Sequence, residues 1–127
     1  MINFKNKKIL VTGATGAIGR EIIKKFISLE GNLVATGTNI EKLELLKKDF
    51  PNINVIKFDI SEHSKIEEFI ENATTQLTGL DILVNNAGTN MDNLSLRMKD
   101  EEWKKIININ LTSTFLMSKF AIKKMLK

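Results

Sequence analysis

A doubly wound α/β fold with a parallel sheet is what the order of apolar patterns in this 127-residue chain predicts. Short β-branched runs alternate with longer stretches whose apolar residues recur at helical spacing. The short runs are too continuously apolar to leave one face in water, so helices must cover both faces. Glycine or a polar turn marks most changes of period. Right-handed crossovers then give the first four strands the order 3-2-1-4, with a topological switch point between strands 1 and 4. In such sheets ligands bind beyond the carboxyl ends of the strands at that crevice, where the loops 12–19 and 85–93 should meet.

Strand 1 is Lys8-Ile9-Leu10-Val11-Thr12, halted by Gly13. Helix 1 follows from Ile18, Ile22, Ile23, Phe26 and Ile27, and Gly31-Asn32 supplies its stop. Strand 2, Leu33–Thr36, runs into Gly37. Helix 2 carries Ile40, Leu43, Leu46 and Phe50, with Pro51 just past its end. Strand 3 is Val55–Phe58, after which Ser61 is the expected N-cap of a third helix. That helix places Ile66, Phe69, Ile70, Ala73 and Leu77 on one stripe and ends at Gly79. Strand 4 is Asp81–Asn85. A last helical stretch starts at Asp100, aligns Trp103, Ile106, Ile107 and Leu111, and continues through Phe115 and Phe120.

Composition narrows the chemistry. The length suits one domain. The absence of cysteine excludes disulfides, thiol nucleophiles and cysteine-ligated metals, and a single histidine excludes any site needing two imidazoles. No metal site is expected. The net charge is +4, but the lysines come in twos without interleaved aromatics, the pattern of solvated helix faces rather than a nucleic-acid surface. No apolar run approaches the roughly 20 residues of a bilayer span, and the N-terminus lacks the pattern of a signal peptide. A soluble, cytoplasmic chain is the expectation.

Between strand 1 and helix 1 the sequence reads Thr12-Gly13-Ala14-Thr15-Gly16-Ala17-Ile18-Gly19. Small residues there let the backbone approach a pyrophosphate, and the helix start offers free N–H groups and partial positive charge. After strand 2 stands Thr36-Gly37-Thr38-Asn39, with no carboxylate. An acid at that point binds the ribose hydroxyls of NAD and would repel the 2′-phosphate of NADP, so its absence favours NADP(H) without excluding NAD(H). Thr38 and Asn39 could donate to such a phosphate. Asp59, after strand 3, could accept from an adenine amino group or serve as an ordinary cap.

Asn85-Asn86-Ala87-Gly88 directly follows strand 4. With the Thr12–Gly19 loop it resembles the short-chain dehydrogenase/reductase family. Within that family, Asn86–Leu94, Arg97–Trp103 and Asn110-Leu111-Thr112-Ser113 resemble the bacterial 3-oxoacyl-(acyl-carrier-protein) reductases. The resemblance runs from the first strand to the last residue. It implies a Rossmann-like NADP(H)-binding domain over residues 1–127 and hydride transfer from NADPH to a 3-oxoacyl-acyl-carrier-protein in fatty acid synthesis. It implies that Gly13, Ala14, Thr15, Gly16 and Ile18 cradle the cofactor phosphates. Thr38 then lies near the 2′-phosphate, Asp59 and Ile60 near the adenine, and Asn86, Ala87 and Gly88 beside the adenosine and ribose. Asn110 matches the catalytic asparagine, whose backbone helps hold a water in the proton relay. An asparagine in an apolar helical stretch is odd on its own terms, because a buried amide needs partners.

Two departures stand out. The family's Thr-Gly-x-x-x-Gly-x-Gly would place glycine where this chain has Ala17, and the Gly13, Gly16, Gly19 spacing resembles the extended branch that includes nucleotide-sugar epimerases. The family's serine, tyrosine and lysine all lie beyond the equivalent of Lys127, and this chain has no tyrosine. A phenol of ordinary pKa about 10 must be tuned by a nearby positive charge to act near neutrality, and nothing here replaces it. His63, in Ser61-Glu62-His63-Ser64, is expected at the surface, far from the switch point.

The expectation is an N-terminal half, C-terminally incomplete and inactive alone, with strand 4 left at a sheet edge. The family's homo-oligomer (a homotetramer) packs through the last helix, so Phe115, Phe120 and Met125 should seek cover. A non-catalytic NADP(H)-binding module, a short-chain reductase acting on another ketone or alcohol, and a fragment presenting Lys119, Lys123 and Lys127 to an acidic carrier protein are the competing readings.

Overall fold

The computed structural model describes residues 2–88 and 95–127; the family-like stretch from Thr89 to Leu94 lies outside the described residues. Strands β1 (Lys8–Val11), β2 (Asn32–Gly37), β3 (Asn54–Lys57) and β4 (Ile82–Val84) form one sheet in the expected order β3-β2-β1-β4. All pairings are parallel, with Leu10 opposite both Val34 and Leu83. The helices are α1 (Ala17–Ser28), α2 (Ile40–Asp49), α3 (Ile66–Leu77), α4 (Asp100–Ile107) and α5 (Ser113–Met125).

Side chains alternate across a strand, and β1 and β2 use the alternation to build two cores. Leu10 and Val34 point to one face, where α3 supplies Ile66, Phe69 and Ile70 and α5 supplies Met117 and Ala121. Ile9, Val11, Leu33 and Ala35 point to the other, against Ile23 of α1 and Leu46 of α2. The central strand is therefore buried on both sides, as its unbroken apolar run required.

Local details differ from the sequence reading. Ser61 caps no helix: its N–H and hydroxyl both donate to Asp59 Oδ1, at 2.9 and 2.7 Å. A 3-10 turn (His63–Lys65) intervenes before α3. Neither Gly31 nor Gly79 is the first left-handed residue after its helix; that place belongs to Glu30 (φ 66°) and Thr78 (φ 59°). The glycines follow one residue later and close the turns through Gly31 N–H to Phe26 O and Gly79 N–H to Thr74 O, at 2.9 and 3.0 Å. The last helical stretch is not uniform either. Between α4 and α5, Asn108–Thr112 widen into a π-turn.

Phe120 does not seek outside cover, because it packs against the α3–α5 core. Phe115 stays 63% exposed, in line with exposed Leu111, Ile122 and Leu126. Among the described residues no helix is long and apolar enough to cross a membrane.

Candidate functional site

The loops after β1 and β4 are latched together by one hydroxyl. Thr12 Oγ1 accepts the backbone N–H groups of Asn86 and Ala87 at 3.0 and 2.9 Å and lies 3.3 Å from the Val84 carbonyl, to which it donates. The Asn86 side-chain amide donates to the Gly13 carbonyl at 3.1 Å. Gly13 adopts φ +61°, and a Cβ there would stand 2.8 Å from the Asn86 carbonyl oxygen. A Cβ at Gly19 would overlap the Gly13 carbonyl, so the first turn of α1 can sit against the loop only as glycine.

Beyond these strand ends opens a cleft of about 670 Å³. Gly13, Thr15, Gly16 and Ile18 line it from the first turn and Thr38 from the end of β2; Asp59 and Ile60 contribute after β3, and Asn86, Ala87 and Gly88 after β4. Ten of the expected residues thus meet in one place. Three expected groups are not on its lining. Ala14 is fully buried, and its N–H donates to the Thr36 carbonyl at 3.1 Å, so it offers nothing to a phosphate. Asn39 caps α2 by accepting the Lys42 N–H at 3.0 Å. Asn110 sits on the π-turn, exposed rather than buried, with its side-chain oxygen 3.1 Å from where a Cβ on Gly88 would be. Asn85 turns away from the cleft, donating to Ser118 Oγ at 3.1 Å.

The electrostatics favour an anion at the start of α1. Gly16 provides no side-chain cap, and the first turn holds no acid. The first turns of α2, α3 and α4 each carry glutamate or aspartate, the usual complement to the partial positive charge of a helix start. At α1 that charge and the unpaired N–H groups are left to the cleft. Asp59 is the carboxylate on the lining and also anchors its own turn through Ser61, so capping and ligand contact are compatible there.

Lys105 and Ile109 also line the cleft, four residues apart on the stretch that includes α4 and the π-turn. Sequence reading missed both. Their spacing marks a shared face but does not say what that face meets. Thr12 was missed as the latch, although a threonine ending a buried apolar strand was a visible signal.

Residues 7–127 match the family described as short chain dehydrogenase, and the chain belongs to that family. It is 38% identical over 127 residues to the 3-oxoacyl-(acyl-carrier-protein) reductase FabG of Rickettsia typhi, covering 100% of this chain and 52% of that protein. The reductase of the same name from Escherichia coli is 37% identical over 128 residues, covering 99% and 52%. Among solved structures, a short-chain dehydrogenase/reductase, glucose/ribitol dehydrogenase, from Brucella melitensis superposes with a TM-score of 0.90 at 32% identity, covering 97% of this chain and 53% of that one. A short-chain type dehydrogenase/reductase from Mycobacterium marinum shares the fold, with a TM-score of 0.92 at 23% identity over 98% of this chain and 52% of that one. The chain spans about half the length of the curated relatives it matches.

Proposed function

We propose that this chain is the dinucleotide-binding part of a cytoplasmic reductase that delivers hydride from NADPH to a 3-oxoacyl thioester on acyl carrier protein, and that by itself it binds cofactor without turnover. The observation that carries this reading is the latched β1 and β4 turns beside an uncapped, acid-free α1 start. This cradle fits a pyrophosphate, since a glycine backbone and free N–H groups stand where its charge would lie.

In this reading the main chain at Gly16, Ala17 and Ile18 holds the phosphates. The β2 end carries no carboxylate, which leaves Thr38 free to meet a 2′-phosphate. Asp59 and Ile60 flank the adenine, and Asn86–Gly88 follow the ribose. Lys105 adds the cation that no arginine supplies at the β2 end. A bound nicotinamide would supply the hydride. Asn110, beside Gly88, holds the water that passes a proton onward. The chain has no tyrosine to protonate a carbonyl oxygen, which is why turnover by the chain alone is not expected.

That missing tyrosine also suits a second reading, a module that holds NADP(H) without catalysis. Supplying the C-terminal half of a relative in trans separates the two, because it restores turnover only in the first.

Titration of nucleotide fluorescence tests the proposal. NADPH should bind at micromolar levels and more tightly than NADH, Lys105→Gln should weaken NADPH by about threefold or more, and acetoacetyl-thioester reduction should be absent. Failure of NADPH to bind at about 1 mM, or turnover by the purified chain, would overturn it.

A further inference from the structure

His63 belongs to the polar segment after β3, yet it is half-buried against the far end of the chain. Its Nε2 lies 3.1 Å from the Asn108 carbonyl and 3.0 Å from Ser113 Oγ. A carbonyl only accepts, so Nε2 carries the hydrogen, as it does in both the neutral Nε2–H tautomer and the imidazolium. Ser113 is fully buried, and its Oγ stands 2.7 Å from the Ile60 carbonyl and 2.7 Å from the Asn108 carbonyl. A hydroxyl has one hydrogen. The assignment that leaves no group without a partner has Ser113 donating to Ile60 and the single Nε2–H of His63 shared between the Asn108 carbonyl and the Ser113 oxygen.

Asn108 opens the π-turn. Its carbonyl receives the Ser113 N–H, five residues on, in place of the bond from residue 112 that an α-helix would make. A widened turn is intrinsically rare and needs support from outside itself. Here the support is the imidazole, reaching across from the loop that also presents Asp59 and Ile60 to the cleft. One end of the cluster therefore touches the cleft wall, and the other holds the turn that sets Asn110 beside Gly88.

We propose that His63 is a positioning residue: it clamps the π-turn through Asn108 and Ser113 and so fixes Asn110 relative to the cleft. This rests on the proposed function only for what Asn110 does. The clamp itself exists without any ligand.

The test compares the nucleotide-free chain with His63→Leu, which removes the donor but keeps bulk, and His63→Gln, which restores an N–H at similar reach. Amide hydrogen exchange and the side-chain amide signals of Asn110 are the readouts. In His63→Leu, exchange at 109–114 should quicken about tenfold, the worth of one hydrogen bond, and the Asn110 signals should move. Amides of Ile9–Val11 should hold their protection, and His63→Gln should return 109–114 to within about threefold of the parent. Unchanged exchange at 109–114, equal acceleration at Ile9–Val11, or no rescue by glutamine would each overturn the clamp. Because no nucleotide is present, these outcomes stand apart from whether NADPH binds.

Discussion

The hydroxyl of Thr12 uses its hydrogen and both lone pairs within one turn of chain, and two backbone N–H groups donate to it. Thr12→Val keeps the shape and takes that acceptor from the Ala87 N–H, while the Asn86 N–H keeps its 3.1 Å bond to the Val84 carbonyl. We expect Thr12→Val to lose about 1–3 kcal/mol of unfolding free energy in urea, the cost of one unpaired group, and Thr12→Ser to recover most of it. At this scale the sequence was legible as a pattern of types. Small residues after β1 promised a close backbone approach, and Gly13 and Gly19 supply it. It did not reveal that Ala14 faces inward with its N–H committed to Thr36, because the direction of a single residue in a tight loop depends on the neighbouring strand. Lys105 escaped notice for the same reason: its partner surface is supplied by other elements.

Among the elements, α3 and α5 are joined across one sheet face by apolar packing and by an ion pair from Lys124 to Glu71. The Lys124 ammonium donates a hydrogen bond to the Glu71 carboxylate and, secondarily, attracts it through space, holding that carboxyl below its usual range. A depressed folded value means that the stabilisation is complete above the unfolded value of about 4.3 and is lost as pH falls through the lower folded one. Lys124→Met should flatten that acid limb by lowering stability above it a little while leaving stability below it unchanged, a small effect because the Glu71 carboxylate is exposed. An acid limb identical in both proteins would count against the assignment. Element types were readable because short unbroken apolar runs and longer stretches with apolar residues at helical spacing are distinct. The π-turn was not readable, because Ile106, Ile107 and Leu111 fit an uninterrupted helix equally well, and the bonds that widen it come from His63 and Ser113. The Ser61 cap failed because its hydroxyl is turned to Asp59 and the 3-10 turn His63–Lys65 separates it from the start of α3.

Across the whole molecule, two cores on either face of one sheet account for the strand order. The order was legible from chain connectivity, since right-handed crossovers leave few alternatives. Less legible was which apolar residues of α5 remain outside. Phe120 turns into the core while Phe115 and Ile122 of α5 stay exposed, together with Leu111 before the helix and Leu126 after it, apolar surface of the kind that marks an association site. We expect the chain to associate through this helix, with an apparent mass by light scattering that rises with concentration. The double change Phe115→Glu and Ile122→Glu should hold it as a monomer at the highest concentrations. A parent chain that is monomeric throughout would refute the association.

The position of β1 between β2 and β4 also sets an order in time. Lys8 meets Asn32, but Ile9 meets Ile82, a loop roughly threefold longer that costs about 1 kcal/mol more entropy to close. Contacts that close late in folding contribute little to the folding rate and much to the rate of unfolding. The Thr12 latch joins residues 74 and 75 positions apart and belongs to this late set. Thr12→Val should accordingly speed unfolding in stopped-flow measurements while refolding stays near the parent rate. The cleft is then among the later parts of the molecule to assemble, and a ligand lodged in it acts as a brake on unfolding.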